Sequence, residues 1–102
     1  MTETIGFLQF AEQQGTSFHL TTSDDKMVRL VLRETVERDQ DPRYEEFSLF
    51  FQGPLQPLLA QGTYEMTHDA LGVQAIFITP IAQDPQGYTY QAVFNRLQES
   101  QP

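Results

Sequence analysis

The sequence predicts a mainly β protein, a small antiparallel barrel or sandwich of about six strands with one short N-terminal helix. Three observations carry that expectation. From Thr16 onward, β-branched and aromatic residues alternate with polar ones at a period of two. Turn-forming clusters, Ser23-Asp24-Asp25 and Asp84-Pro85-Gln86-Gly87 among them, punctuate those runs. Helical spacing is confined to the first stretch of the chain.

That stretch runs from Thr4 to Gln14. Ile5, Leu8 and Glu12, with Phe7, Phe10 and Ala11 beside them, approximate a helical stripe, and Thr2 or Thr4 is placed to cap its start. Gly15 follows where a helix end favours a residue free to take positive φ. So short a helix must be held by packing against the remainder of the fold. The first strand is expected over Thr16–Thr22, with Phe18 and Leu20 on one face and Ser17, His19 and Thr21 on the other. The second is expected over Lys26–Val36, with Val28, Leu30, Leu32 and Val36 inward and Arg29, Val31, Arg33 and Thr35 outward.

Glu37–Glu46 is polar and charged, and Pro42 is unsuited to a central strand, so the segment reads as an exposed, mobile loop. Phe47–Gln52 returns as a strand with Phe47, Leu49 and Phe51 on the core face, stopped by Gly53-Pro54. Leu55–Ala60 reads as a helical turn or compact loop, with Pro57 placed as at a helix start. Gly62–His68 is a strand with Tyr64 and Met66 inward, and Asp69–Gly72 connects it onward. Val73–Ile81 is the most apolar run, and Pro80 must sit at an edge or a bulge. Tyr88–Leu97 is the last strand, with Tyr88, Tyr90, Ala92 and Phe94 sharing a face. No internal repeat or linker divides the 102 residues, so one domain is expected over 1–102, with no ordering force on the tail 98–102.

Composition narrows the function classes. Eight Phe and four Tyr supply large buried areas, which a core at this length needs. Fourteen acidic residues against six basic ones leave a net charge of −8. That balance argues against nucleic acid and against a polybasic membrane anchor, and suits either a solvated surface or a partner with a positive patch. With no cysteine, disulfides, thiolate nucleophiles and Cys-based zinc sites are excluded. The acidic start Met1-Thr2-Glu3-Thr4 lacks a basic signal-peptide region. The expected location is therefore cytoplasmic, with later incorporation into an exported or particle-associated assembly left open.

No catalytic constellation emerges. His19 and His68 are the two histidines, and the adjacent His68-Asp69 pair would point to opposite faces of a strand, which makes a poor chelate. Ser17, Ser23, Ser48 and Ser100 lack a nucleophile-elbow context. Glu34, Glu37, Asp39, Asp41, Glu45 and Glu46 gather around one loop, but the Asp39-x-Asp41 spacing lacks the rest of a calcium loop. Neither metal nor cofactor is expected. The residues singled out for partner binding are Ile76, Ile78 and Val93, as an outer apolar patch covered by the N-terminal helix or by a partner, together with Arg29 and Arg33. For the arginines, pairing with acids on a neighbouring strand is the competing expectation.

Four segments then stand together: Phe47–Pro54 (F-S-L-x-F-x-G-P), Leu59–Tyr64 (L-x-Q-G-x-Y), His68–Gly72 (H-x-x-L-G) and Tyr90–Asn95 (Y-x-A-x-F-N). In these the chain resembles a family of short bacterial proteins known only as a domain of unknown function. The likeness covers the second half of the chain, and the first half through Gly15–Phe18. It implies no activity. Its members look like genomic neighbours of phage-tail-collar-type fibre proteins, which implies a role in fibre assembly or attachment. The residues it rests on read as structure, with His68 and Gly72 as turn chemistry.

The expectation is thus a non-enzymatic protein-interaction or structural accessory module, linked through the resemblance to a phage-tail-like fibre system. The alternatives are a small-ligand barrel lined by Tyr64, Tyr88, Tyr90 and Phe94, and, more remotely, a hydrolase using His68 and Asp69. An open sheet would present edge strands that invite self-association, which keeps a homo-oligomer among the expected partners.

Overall fold

The computed structural model describes residues 5–38 and 43–97. One helix, α1 (Phe7–Ala11), precedes six strands: β1 (Ser17–Thr21), β2 (Met27–Arg38), β3 (Tyr44–Gly53), β4 (Gly62–His68), β5 (Gly72–Asp84) and β6 (Gly87–Leu97). All pairings are antiparallel, and the strands close into a barrel in the order β1-β2-β3-β6-β5-β4. The fold is mainly β, as the alternation implies.

The hairpins β1–β2, β2–β3, β4–β5 and β5–β6 join neighbours, whereas β3 and β4 are not neighbours. Their connection, residues 54–61, crosses one end of the barrel. It contains no helix, and the Gln56–Pro57 peptide is cis. Leu59 from this segment is buried, and its backbone N–H donates to the Tyr90 hydroxyl at 2.9 Å. The opposite end is closed by α1. Phe10 packs there against Phe18, Phe47 and Phe94, with ring centroids 5.6–6.5 Å apart. The interior between the two plugs is filled by Leu20, Val28, Leu30, Leu32, Leu49, Phe51, Met66, Ile76, Ile78 and Ala92.

The helix is shorter than Thr4–Gln14. It begins after Gly6, whose N–H donates to the Gln9 side chain at 2.6 Å, and residues 12–15 form turns. Thr2 and Thr4 lie outside the described residues. What holds α1 is tertiary. Glu45 accepts the Phe7 N–H at 2.9 Å, and Arg96 donates to both the Ile5 carbonyl (2.6 Å) and Glu45 (3.3 Å). The Arg96 guanidinium lies over the Phe47 and Phe94 rings, so its stem and plane extend the aromatic plug. The helix therefore fills the barrel end; it does not cover an outer apolar patch.

Three further expectations are corrected. The charged segment Glu37–Glu46 is strand at both its margins, since β2 continues to Arg38 and β3 starts at Tyr44; Asp39, Asp41 and Pro42 lie outside the described residues. Within β2, a bulge between Leu32 and Glu34 reverses the alternation, so Thr35 shares a face with buried Leu49 and Val36 turns outward beside Ser48. In β5, Ile76 and Ile78 are 1% and 0% exposed, not outer-surface residues. Three consecutive large apolar residues, Ile76-Phe77-Ile78, leave the phase ambiguous in sequence. Pairing with β4 decides it, because Ile76 stands opposite inward Tyr64 and Ile78 opposite Gly62. Pro80 does sit at a bulge, between Pro80 and Ala82.

Candidate functional site

With Ile76 and Ile78 inside, the apolar residues that face outward are different ones. Val93 (66% exposed) pairs with Ser48, and Ser48 in turn pairs with Val36. Phe77 (50% exposed) lies two residues before Thr79, and Val93 two residues after Gln91, the partner of Thr79. Both therefore project from the outer sides of adjacent strands. Half-buried Phe50, opposite Gln91, extends the row. Polar groups frame it: Gln91 donates to Ser48 at 3.4 Å, and Glu34 and Glu46 stand on the same outer face. Of the apolar positions singled out from sequence, Val93 alone belongs to this surface. Phe77 and Val36 escaped notice because their phase depends on the β4 register and the β2 bulge.

Arg29 and Arg33 are exposed, but neither bonds a carboxylate among the described residues. Arg29 Nε donates to Ser17 at 2.7 Å, and Arg33 Nε to the Gln52 side-chain oxygen at 2.9 Å. Neutral acceptors on neighbouring strands orient both guanidinium groups and leave their charge uncompensated by those contacts. Arg29 is tied to β1, and Arg33 is tied to Gln52, two residues along β3 from Phe50. The five residues expected to bind a partner are thus not brought together.

His68 is the buried polar side chain of the core. Its Nδ1 accepts the backbone N–H groups of Ala70 (2.9 Å) and Leu71 (3.2 Å), so that nitrogen carries no proton. The proton is on Nε2 and is donated to Thr16 Oγ1 at 2.8 Å, which donates onward to the Gln13 carbonyl. The ring packs 4.4 Å from Phe18. Every polar atom of the imidazole is engaged in tying the β4–β5 turn to the segment before β1. Gly72 completes that turn at φ +73°. The arrangement offers no base to an incoming nucleophile, and the neighbouring Asp69 is exposed.

The tyrosines proposed to line a ligand cavity are packed against the core. Tyr90 is fully buried, and its hydroxyl is taken by Leu59. Burial pushes its phenol above the usual value near 10, the Leu59 N–H opposing that shift. Tyr64 donates to the Ala60 carbonyl at 2.7 Å. Among the described residues, no group of three or more His, Asp or Glu side chains could hold a metal ion. No helix among them is long and apolar enough to cross a membrane.

No curated protein and no solved structure matches the chain. One family model does, over residues 5–94, which reaches well beyond the second-half motifs and takes in α1 and all of β1–β5. The motifs quoted above fall inside that span up to Phe94, and the chain belongs to the family described as a domain of unknown function, DUF6916.

Proposed function

We propose that this chain is a non-enzymatic protein-interaction or structural accessory module, serving a phage-tail-like fibre system. The observation that carries the interaction reading is the outer row Phe77–Val93–Ser48–Val36 with Phe50 beside it, a largely apolar strip on a sheet face that no segment of the chain covers among the described residues. Water-facing apolar side chains that run across several strands favour a docking role over a solvated surface. The carboxylates at its margins and the net charge of −8 select a partner that presents an apolar anchor with a basic rim. The link to fibres rests on the family resemblance alone.

The test is an affinity capture from native-host lysate with tagged protein, read by mass spectrometry, beside a Val93→Glu variant. Stoichiometric recovery of a fibre or tail-type protein by the native chain, lost in the variant, is the expected result. Recovery of nothing above background by either protein would sink the reading.

A further inference from the structure

The outward residues around the His19–Thr67 pair form a second row across the barrel wall. Val73 on β5 stands opposite Thr67, Thr67 opposite His19, and His19 opposite Arg29. Two residues along their strands, Glu65 and Thr21 face the same way, with Ala75 and Met27 as their partners. An open groove of about 500 Å³ runs over these outer side chains, lined by His19, Thr21, Met27, Glu65, Thr67 and Val73.

The lining combines apolar and anionic groups. Met27 (75% exposed) and Val73 (62% exposed) are aliphatic side chains left in water. Glu65 supplies the carboxylate, and among the described residues no hydrogen bond or ion pair engages it. The cations beside the groove are turned to other acceptors. Arg29 is drawn to Ser17 at 2.7 Å, on the far side of His19 from Thr21. The Lys26 ammonium lies 4.0 Å from Asp24.

We propose that the groove holds an arginine side chain of the same partner protein whose apolar anchor covers the Val93 row. This inference rests on the interaction reading and gives its partner a second anchor. A planar guanidinium fits the lining: the Glu65 carboxylate accepts two parallel N–H bonds, the Thr21 and Thr67 hydroxyls accept others, and the His19 ring offers a face for stacking. Met27 and Val73 flank the methylene stem. The field of a chain at −8 favours a cation there.

Strand β5 joins the two surfaces. Val73, Ala75 and Phe77 are exposed at alternate positions along it, so the groove and the apolar row lie on one outer face. Val73 and Phe77 are about 13 Å apart at the rise of an extended strand. One short extended segment of a partner therefore reaches both.

The test titrates the isotope-labelled full chain with the blocked peptide Phe-Ser-Gly-Ser-Arg and follows backbone amide shifts. Shifts are expected in the groove, at His19, Thr21, Glu65 and Thr67, and in the row, at Phe77 and Val93. Replacing the arginine by citrulline keeps its shape without its charge. That peptide should bind at least about fivefold more weakly and lose the groove shifts while keeping those at Val93. Glu65→Gln, a change at an exposed position, should bring the two peptides to equal affinity. Equal binding of both peptides by the native chain, or shifts confined to Phe77 and Val93, would overturn the arginine site and leave the interaction reading standing. Shifts confined to the groove would sink the reading of the Val93 row, and with it the claim that one partner spans both surfaces. No shift at about 10 mM peptide would overturn the arginine site as well.

Discussion

The β3–β6 wall and the β1–β4 seam close the same barrel by different means. The wall is a continuous ladder from Tyr44 opposite Leu97 to Gly53 opposite Tyr88. The seam has one pair. Burial does not follow that difference, because Phe18, Leu20 and Met66 beside the seam are as inaccessible as Phe47, Leu49 and Tyr90 along the wall. Side chains supplement the single pair: the Phe18 ring of β1 lies 4.4 Å from the His68 ring of β4, and His68 also ties β4 to Thr16 ahead of β1. A core and a ladder are separable ways to hold two strands together.

The comparison breaks most severely at the wall. A Cβ on Gly87 would fall 1.8 Å from the Gly53 carbonyl oxygen, and φ there is +152°. Gly87→Ala should therefore cost at least about 3 kcal/mol in urea unfolding, because backbone has to move. The seam should yield next. His68→Leu leaves the Ala70 and Leu71 N–H groups and the Thr16 hydroxyl short of a partner, at a cost of about 2–3 kcal/mol. Amide exchange in β1 should accelerate before that in β3 and β6. Equal acceleration in all three would mean that the seam is no weaker than the wall.

Tyr90 sharpens the account of the loop that crosses the barrel end. Tyr90→Phe strands the buried Leu59 N–H and should cost about 1–2 kcal/mol at neutral pH. Its phenol is held above 10 in the fold, so above pH about 10 the unfolded chain releases its proton while the folded chain keeps it. Stability should be complete below that pH and decline as pH rises toward the elevated folded value. Tyr90→Phe should make the decline shallower, as stability curves at several alkaline pH values would register. The smallest effect belongs to Gly72, at φ +73° with open space around it. Gly72→Ala should cost about 1 kcal/mol, from backbone conformation alone, and leave the pairing of β4 with β5 unchanged.

Strand number, most boundaries and the inward faces of β1, β3, β4 and β6 were legible because period-two patterning is local. The Asp84–Gly87 turn was legible in the same way, and its carboxylate indeed accepts the Gln86 and Gly87 N–H groups at 2.8 and 3.1 Å. The candidate surface was legible only at Val93. Phe77 and Val36 depended on a register and a bulge, and neither is encoded within a few residues of its effect.

The sequence by itself determined a cysteine-free, acidic chain of alternating strands whose Phe and Tyr side chains demand a common interior. Tertiary structure decided which of Ile76, Phe77 and Ile78 face water, that α1 plugs an end of the barrel, and that His68 is a strut. It also decided that the ring closes through one pair at His19 and Thr67. Local pattern sets which faces are apolar. Which faces meet is a property of the closed barrel, where distant strands must share one interior.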